Sequence, residues 1–431
     1  MMHQSIDIIG MPYVPGMARG TVQCGLVGDN TKKIVLIQQA DIEHLQSLPA
    51  GFIVVEGAPL SHTLIRLMGA GVPTVIITEH QAALLNEGVD VTLNGASGHI
   101  TNDLTDFVPA EETPSVVLNE PFVTADGIPV QLRASVRSQT AARKARAEGA
   151  ESIGLVRSEF ILPADGSVPD TQFYQQAFGE ICEAAAPLGV TIRLLDVAAD
   201  KIPPWMPELD NVGGALGLQG VRLYGIEPMR SVYQAQLEAI RTLSERFDIR
   251  VLIPYLVRHE ELQYWTDYIR EKLSKPLSIG AMAETPAGAL DMVDWFDVVD
   301  FVAIGCNDLM QCLFAADRDK PELRDYLDPY APLLWRFMQQ IAISNDKHLD
   351  QIQLCGVLAQ LPGIISILLG LGYRTFSVEA NLIPYLRCTI ATTNTSDASQ
   401  LAQQVCAAKE SRQVLELLGL HDGTYQPFLV P

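Results

Sequence analysis

Residues 250–283 read RVLIPYLVRHEELQYWTDYIREKLSKPLSIGAMA, and this stretch decides the fold. It begins with an apolar run of strand length, continues with a longer helical stretch, EELQYWTDYIREKLS, and ends in a second short apolar run. Short apolar strands separated by a helix are typical of consecutive units in a parallel α/β sheet. We therefore predict a strand at RVLIPYLV, a helix, and a strand at SIGAMA.

The same alternation extends in both directions from this stretch. Further strand-like runs are VQLRASV, SIGLV, TIRLLD, DFVAIG, QIQLCG and RTFSVE, and further helical candidates are TAARKARAEGA, TQFYQQAFGEICEAAAPLG, PMRSVYQAQLEAIRTLSER and APLLWRFMQQIAISND. Alternation of this kind over about 300 residues suits an eight-stranded parallel barrel. We predict an α/β protein whose residues 130–431 form a (β/α)8 TIM barrel.

The amino-terminal part of the chain has a different pattern. Residues 1–107 carry short β-rich runs such as KKIVLIQ, GFIVVEG and PTVIIT, punctuated by Gly, Pro and Asn, with two helical stretches. These features predict a compact mixed β/α domain. Residues 108–129 contain four prolines and no sustained period, which is typical of a linker or hinge. The helical stretch at 395–420 is expected to pack on the barrel or its neighbour.

Composition excludes several classes of function. The chain has 30 Lys and Arg against 51 Asp and Glu, a formal charge of -21, which disfavours nucleic acid and anionic lipid as partners. Its seven cysteines form no C-x-x-C pair, so we expect neither a disulfide framework nor a zinc site, and a reducing cytoplasm fits best. No basic segment precedes a long apolar run, so we expect neither a signal peptide nor a membrane span.

Polar side chains follow most of the predicted barrel strands. They are Arg157, Arg193, Asp196, Glu284, Asn307, Asp308 and Cys355. In a TIM barrel the chemistry takes place at the carboxyl ends of the strands, so these side chains are expected at one rim. Each also has a purely structural explanation, because Arg157 can pair with Glu159, Arg193 can pair with Asp196, and a strand-end cysteine is often a small buried apolar residue.

Taken together, these side chains predict a binding site. Arg318 adds a third arginine to Arg157 and Arg193. Because cationic residues are scarce in this chain, a cluster of arginines is informative. Arginines together with two carboxylates and an amide suit a small polyanion bound through a divalent metal. Oxygen donors favour Mg²⁺ or Mn²⁺ over zinc. The Gly-rich stretch at 211–224 matches neither a Walker nor a Rossmann fingerprint.

Several motifs carry a resemblance to a known family. VEGAPLSHT, IGLVRSEF, IRLLDVAADK, MAETPAGAL, AIGCNDLMQ and LCGVLA occur in the order and spacing of the phosphoenolpyruvate-utilising enzymes. That family includes enzyme I of the bacterial sugar phosphotransferase system, phosphoenolpyruvate synthase and pyruvate phosphate dikinase. The resemblance covers roughly 10–105 and 125–390, and it implies a small swivelling phosphohistidine β/α domain at 1–107 ahead of the barrel.

The resemblance assigns His62, in VEGAPLSHT, as the phosphohistidine, with Ser61 and Thr63 shaping the turn that presents it. A neutral imidazole nitrogen is a competent nucleophile, and glycines in the flanks permit close approach. A lone histidine can also be a satisfied turn or core residue, but no other histidine of the chain has this context.

By the same resemblance, the barrel binds phosphoenolpyruvate and releases pyruvate. The resemblance implies that three arginines (Arg157, Arg193 and Arg318) would hold the phosphoryl group, that Glu284 and Asp308 would ligate Mg²⁺, and that Asn307 would grip the substrate carboxylate. Lys201 and Arg222 resemble further substrate-binding residues of this rim. Cys355 resembles the general acid that protonates the enolate carbon, a role that suits a thiol because its reference pKa is near neutrality.

Three positions depart from the family pattern. Gln219 stands where the family usually has an arginine, Val357 where enzyme I has a glutamate, and Met68 where enzyme I has an arginine. The chain also starts directly with the histidine domain, without an ATP-grasp domain or a carrier-binding subdomain. We therefore expect a separate phosphoryl acceptor, which is a carrier protein, an ATP-grasp subunit in the reverse direction, or a small molecule.

Two other classes of function stay open at this stage. A degenerate sensor that binds phosphoenolpyruvate or pyruvate without turnover is favoured by Gln219 and Val357, but retention of His62 and Cys355 argues against it. A metal-dependent lyase or aldolase of pyruvate-like substrates would use Glu284 and Asp308 and leave the histidine domain without a role. Family members dimerise through the barrel, so a homodimer is expected by resemblance.

Overall fold

The structure is a computed structural model that describes residues 5–26, 30–44, 47–103, 121–197, 202–206, 216–273 and 275–420. It contains an open eight-stranded sheet followed by a closed barrel of eight parallel strands. The predicted fold class, an α/β chain with a small β/α unit ahead of a (β/α)8 barrel, is confirmed. None of the helices in these ranges combines the length and the apolar character that crossing a membrane requires.

The open sheet is built from the first eight strands in the order β1-β8-β7-β3-β4-β5-β6-β2. These strands are β1 (Asp7–Ile9), β2 (Met11–Val14), β3 (Met17–Cys24), β4 (Lys33–Gln38), β5 (Gly51–Val55), β6 (Thr74–Ile77), β7 (Asp90–Asn94) and β8 (His99–Thr101). The β3-β4-β5-β6 part is parallel and the remaining pairs are antiparallel. The central strand β5 is buried at every position, as its unbroken apolar sequence requires.

The closed barrel follows chain order around its circumference. Its strands are β9 (Gln131–Val136), β10 (Ile153–Arg157), β11 (Val190–Arg193), β12 (Ile249–Leu256), β13 (Ile279–Ala283), β14 (Phe301–Gly305), β15 (Ile352–Cys355) and β16 (Thr375–Glu379). Each predicted strand run coincides with one of these eight strands. Pairing of β16 with β9 closes the barrel.

The helices lie between the strands and after the last one. They are α1 (His62–Ala70), α2 (Glu79–Ala82), α3 (Gln139–Ala147), α4 (Thr171–Ala185), α5 (Met229–Leu243), α6 (His259–Lys272), α7 (Pro286–Asp291), α8 (Cys306–Phe314), α9 (Pro332–Ser344), α10 (Ile364–Gly370), α11 (Ile383–Thr392), α12 (Thr395–Ala407) and α13 (Ser411–Leu417). The carboxy-terminal α12 packs against α9 and α10 on the outside of the barrel. This confirms the expectation that residues 395–420 pack there.

The predicted domain limits at 107 and 130 stay a prediction. The open sheet ends at Thr101 and the barrel begins at Gln131, which is compatible with those limits. Most of the predicted linker at 108–129 lies outside the described residues. The two units are in contact, because the side-chain amide of Asn381, just after β16, donates a hydrogen bond to the carbonyl of Met68 in α1 at 2.8 Å.

Residues next to the first turn of helix α1 determine where this helix begins. Ser61 precedes it in an extended conformation, and its hydroxyl accepts a hydrogen bond from the Leu64 amide at 3.3 Å. A serine cap of this kind stabilises a helix start by satisfying an amide that has no partner within the helix. The cap fixes where α1 begins, and the first residue of the helix is His62.

Candidate active site

A cavity lies at the carboxyl ends of the barrel strands and comprises about 540 Å³ of space, which includes open solvent. Seven of the residues that the sequence predicts for this rim line the cavity. They are Arg157, Arg193, Glu284, Asn307, Asp308, Arg318 and Cys355. The strands therefore bring together side chains that are up to 198 positions apart in the sequence, from 157 to 355.

Arg193 is the centre of the charge arrangement. One terminal nitrogen lies 2.7 Å from a Glu159 carboxylate oxygen, and the other lies 3.0 Å from Asp196 and 3.5 Å from Glu284. Burial alone would lower the pKa of the Arg193 guanidinium, but the three carboxylates outweigh burial and hold that pKa well above its usual value. Arg193 is therefore a fixed positive charge held rigidly beneath the cavity.

The other two arginines also lie close to acidic side chains. The Arg157 Nε lies 3.0 Å from Glu159, and its guanidinium lies over the Phe160 ring at 4.7 Å from the ring centre. Arg318 lies 3.5 Å from Asp308. The pairings of Arg157 with Glu159 and of Arg193 with Asp196, which the sequence allows, both occur in the structure. They do not remove the arginines from the cavity, which both side chains still line.

Gly305 ends β14 and Gly356 directly follows β15. Each of these glycines leaves room for a neighbouring polar side chain. A Cβ atom on Gly305 would lie 2.6 Å from the Glu284 side chain, and one on Gly356 would lie 2.7 Å from the Asn307 side-chain oxygen. Gly356 also has a φ of +101°, a conformation that favours glycine. The Asn307 oxygen accepts a hydrogen bond from the Val357 amide at 3.0 Å, which fixes the Asn307 side chain at the rim.

Cys355 ends β15 at the floor of the cavity, and its residue surface is 3% exposed. Burial raises the pKa of the Cys355 thiol to about 11, although a hydrogen bond from Gln353 and the charges of Arg193 and Arg133 lower it. The side chain is therefore a protonated thiol at neutral pH. A thiol in this state can give up a proton to a group in the cavity, but it is not a ready nucleophile.

Two predicted site residues, His62 and Lys201, cannot be located fully in the described part of the structure, and two others, Asp196 and Arg222, do not line the cavity. His62 begins α1, and its side chain lies outside the described part of the structure, as does all of Lys201. Arg222 is exposed, donates to the Gly217 carbonyl at 3.2 Å and lies over the Tyr255 ring. Its substrate-binding role stays a prediction. Of the departures from the family pattern, Val357 lines the cavity, whereas Gln219 is buried elsewhere.

Sequence reasoning missed several residues of the cavity. Ile65 of α1 reaches it from the other unit, and Glu379 at the end of β16 lines it while accepting from Arg137 at 3.1 Å. Burial raises the pKa of the Glu379 carboxyl, while Arg137 and Arg157 lower it. Glu379 was detectable in principle, because it follows a predicted strand just as the other site residues do. Ile65 does not follow a predicted strand, so its sequence position does not indicate a role in the cavity.

The geometry defines a class of protein, a parallel (β/α)8 barrel with a site of clustered arginines and carboxylates at its carboxyl-end rim. The family of phosphoenolpyruvate-utilising enzymes has models that match this chain twice: the PEP-binding domain over residues 112–395 and the mobile domain over residues 32–98. The chain therefore belongs to the PEP-utilising enzyme family.

Individual relatives cover most of the chain. A phosphoenolpyruvate-protein phosphotransferase of Streptomyces coelicolor is 30% identical over 412 residues, which are 90% of this chain and 72% of that protein. One from Haloferax volcanii is 28% identical, over 86% of this chain and 68% of its own length. A multiphosphoryl transfer protein of Xanthomonas campestris is 28% identical over 86% of this chain and 46% of its own length.

Proposed function

We propose that this chain is a phosphoenolpyruvate-dependent phosphotransferase that moves the phosphoryl group to His62, releases pyruvate, and then passes the group to a partner protein. One observation carries the proposal. Ile65 of α1, the helix that begins at His62, lines the same cavity as Arg157, Arg193 and Cys355. The helix that carries the candidate nucleophile is thus next to a cavity that contains three arginines and a protonated thiol.

The arginines would bind the phosphoryl group of the substrate. Arg193 is held by three carboxylates, so it offers a charge whose position does not change during the reaction. Preorganised cations of this kind stabilise the charge on a transferring phosphoryl group at little reorganisation cost. The P–O bond of phosphoenolpyruvate breaks, a P–N bond to the His62 imidazole forms, and the electron pair of the broken bond stays on the enolate oxygen.

The Cys355 thiol would complete the first half-reaction. Its proton passes to the terminal carbon of the enolate, so the S–H bond breaks, a C–H bond forms, and pyruvate results. The thiolate then regains a proton from water. A general acid has to be protonated before it acts, and the raised pKa of Cys355 meets that requirement at neutral pH.

The carboxylates suit Mg²⁺ as the cofactor. Among the described residues, no cluster of three or more His, Cys, Asp or Glu could hold a metal by itself. Mg²⁺ is commonly bound by one or two carboxylates together with oxygens of a phosphorylated substrate and water, so Glu284 and Asp308 fit an ion bound with the substrate. The ion would neutralise charge on the phosphoryl and enolate oxygens. Asn307 would contact the substrate carboxylate.

The acceptor, the assembly and the compartment are also part of the proposal. Relatives named phosphoenolpyruvate-protein phosphotransferase support a protein as acceptor, rather than an ATP-grasp subunit or a small molecule. Free cysteines, of which Cys24 and Cys388 are exposed, support a reducing cytoplasm. A homodimer through the barrel rests on the family resemblance alone.

Intact-protein mass spectrometry tests the first half-reaction. Wild type, His62→Ala and His80→Ala are incubated with phosphoenolpyruvate and Mg²⁺ and analysed under neutral-to-basic conditions. We expect one phosphoryl adduct in wild type and in His80→Ala, whose exposed histidine lies on α2, and none in His62→Ala. An adduct retained by His62→Ala would overturn the assignment. Absence of any adduct in wild type, with substrate binding detected by calorimetry, would favour the sensor.

A further inference from the structure

Gln353 lies inside the barrel, directly below the Cys355 thiol. The two residues are two positions apart in β15, so their side chains point to the same face of the strand. Gln353 is 1% exposed, and its amide nitrogen lies 3.0 Å from the Cys355 sulfur and 3.0 Å from the Gly154 carbonyl. Its amide oxygen accepts a hydrogen bond from Arg133 of β9 at 2.9 Å.

These contacts allow only one orientation of the Gln353 amide. An arginine side chain has donors but no acceptor, so the Gln353 oxygen has to face Arg133. A backbone carbonyl has no hydrogen to donate, so the Gln353 nitrogen has to face Gly154. Both constraints place the NH₂ group against the sulfur, and a flipped amide would lose both hydrogen bonds. The Cys355 sulfur therefore accepts a hydrogen bond from Gln353 and cannot donate one to it.

The orientation of the amide determines where the thiol proton can point. Cys355 belongs to a buried apolar cluster of the barrel interior with Leu155, Leu252, Met282, Phe301 and Ala303. The side chains of these neighbours contain no oxygen that would capture the thiol hydrogen. The oxygen-bearing side chains of Ser135, Asn307 and Glu284 line the same cavity as the sulfur, so the hydrogen is directed to the cavity side, where these groups and a bound substrate can accept it.

We propose that Gln353 and Arg133 are positioning residues that aim the Cys355 proton into the cavity. Arg133 fixes the orientation of the Gln353 amide. The amide donates to the Cys355 sulfur, so the sulfur acts as an acceptor on the side that faces Gln353. The inference rests on the proposed function, in which Cys355 protonates the enolate carbon. Neither residue touches the substrate, and both act through the sulfur.

The electrostatics of the thiol support this arrangement. The Gln353 hydrogen bond and the Arg133 charge both lower the pKa of Cys355 against the larger effect of burial. The same N–H group remains in contact with the sulfur after the proton has left, so it stabilises the thiolate product of the transfer. One amide would thus orient the acid before the step and lower the free energy of its conjugate base afterwards.

The test combines three measurements on Gln353→Met, which keeps the volume of the side chain and removes its N–H group. The alkylation rate of Cys355 by iodoacetamide at mildly basic pH, resolved by peptide mass spectrometry, should fall roughly tenfold if the thiol pKa rises by about one unit. Pyruvate formation should fall roughly tenfold or more, because proton transfer depends on alignment. Phosphorylation of His62 in a single turnover should stay near the wild-type rate.

A stereochemical measurement separates positioning from simple loss of stability. Phosphoenolpyruvate labelled stereospecifically at its terminal carbon yields a chiral methyl group in isotopic water when the proton comes from one face. We expect this chirality to be retained in wild type and reduced in Gln353→Met. Arg133→Met should reproduce the defect, whereas Arg133→Lys, which still offers a donor to the Gln353 oxygen, should restore most of the chirality.

A matched control is Gln236→Met. Gln236 is also fully buried in the barrel unit, and its oxygen accepts a hydrogen bond from the Leu195 amide at 2.8 Å, but it does not contact the thiol. We expect lower stability and an unchanged Cys355 alkylation rate. Equal alkylation rates in wild type and Gln353→Met, with retained chirality, would overturn the positioning role. Absence of His62 phosphorylation in wild type would instead refute the proposed function, and the alkylation rates do not depend on it.

Discussion

The open sheet and the barrel each have eight strands, but they present chemical groups in different ways. The barrel has all its strands parallel and in chain order, so every carboxyl end meets at one rim, where Arg157, Arg193 and Glu284 converge. The open sheet mixes parallel and antiparallel pairs. Its strand ends therefore point in both directions, and α1, which begins at the proposed nucleophile His62, contributes Ile65 to the cavity.

This difference indicates a division of labour. A closed parallel barrel is suited to holding many charges in fixed positions, as it does for Arg193 and its three carboxylates. A separate unit that contributes one short helix can leave the cavity without dismantling that arrangement. In the proposed reaction, binding and protonation would belong to the barrel, and delivery of the phosphoryl group would belong to the open sheet. Changes in each region should have separable effects.

Loss of the central charge of the barrel should have the largest effect. Arg193→Met leaves Glu159, Asp196 and Glu284 without their shared cation, and breaking a buried ion pair on one side costs about 3–5 kcal/mol. We expect a lower unfolding free energy in urea denaturation and loss of the His62 adduct in mass spectrometry.

An exposed ion pair provides the control for Arg193. Arg241 and Glu238 lie one turn apart on the surface of α5. We expect Arg241→Met to leave both the denaturation midpoint and adduct formation at the wild-type level, because solvent screens such pairs. Equal stability of the two variants would show that the barrel rim does not depend on the Arg193 charge.

Loss of the thiol should have the next largest effect, confined to protonation. Cys355→Ala should reduce pyruvate formation by about 10²–10⁴-fold, the usual contribution of a general acid, while single-turnover phosphorylation of His62 continues. Quenched-flow measurement of the two products separates these steps. A variant that loses both products equally would place Cys355 in substrate binding rather than in proton transfer.

The wild-type pH dependence tests the same assignment. The Cys355 pKa is raised from 9.0 to about 11, so the acid form is present throughout neutral pH and is lost as the pH rises through about 11. We expect the protonation step, measured by single-turnover pyruvate formation, to stay constant from pH 7 to pH 9 and to fall only above that. A loss that is complete below pH 9 would contradict an acid with this pKa.

The sequence predicted the barrel well because its signals are local. Each strand is a short apolar run with a helix after it, and the rim residues follow directly from the strand ends. A rule that needs only strand ends places Arg157 and Cys355 at one cavity, even though the chain between them is long. No comparable rule predicts the strand order of the open sheet. Its strands β1 and β2 are short, and β2 pairs with β6 rather than with a neighbour in sequence.

The contacts that the sequence could not predict are those between distant strands. Gln353 and Arg133 are 220 positions apart, and only the closure of the barrel between β16 and β9 brings them within 2.9 Å. Neither residue is at a strand end, so the rule that locates the rim does not reach them. A buried glutamine inside an apolar strand is a local inconsistency, and such inconsistencies are expected near functional sites.

The contact between the two units should show the smallest effect. Asn381→Ala removes the hydrogen bond to the Met68 carbonyl in α1, which is worth about 0.5–1.5 kcal/mol. We expect amide hydrogen exchange in 62–70 to accelerate up to about tenfold, with exchange in the barrel strands unchanged. Asn394→Ala, which removes the cap of α12, should leave α1 unaffected. Unchanged exchange in α1 after Asn381→Ala would mean that apolar contacts such as those of Ile65, rather than this bond, hold the helix at the rim of the barrel.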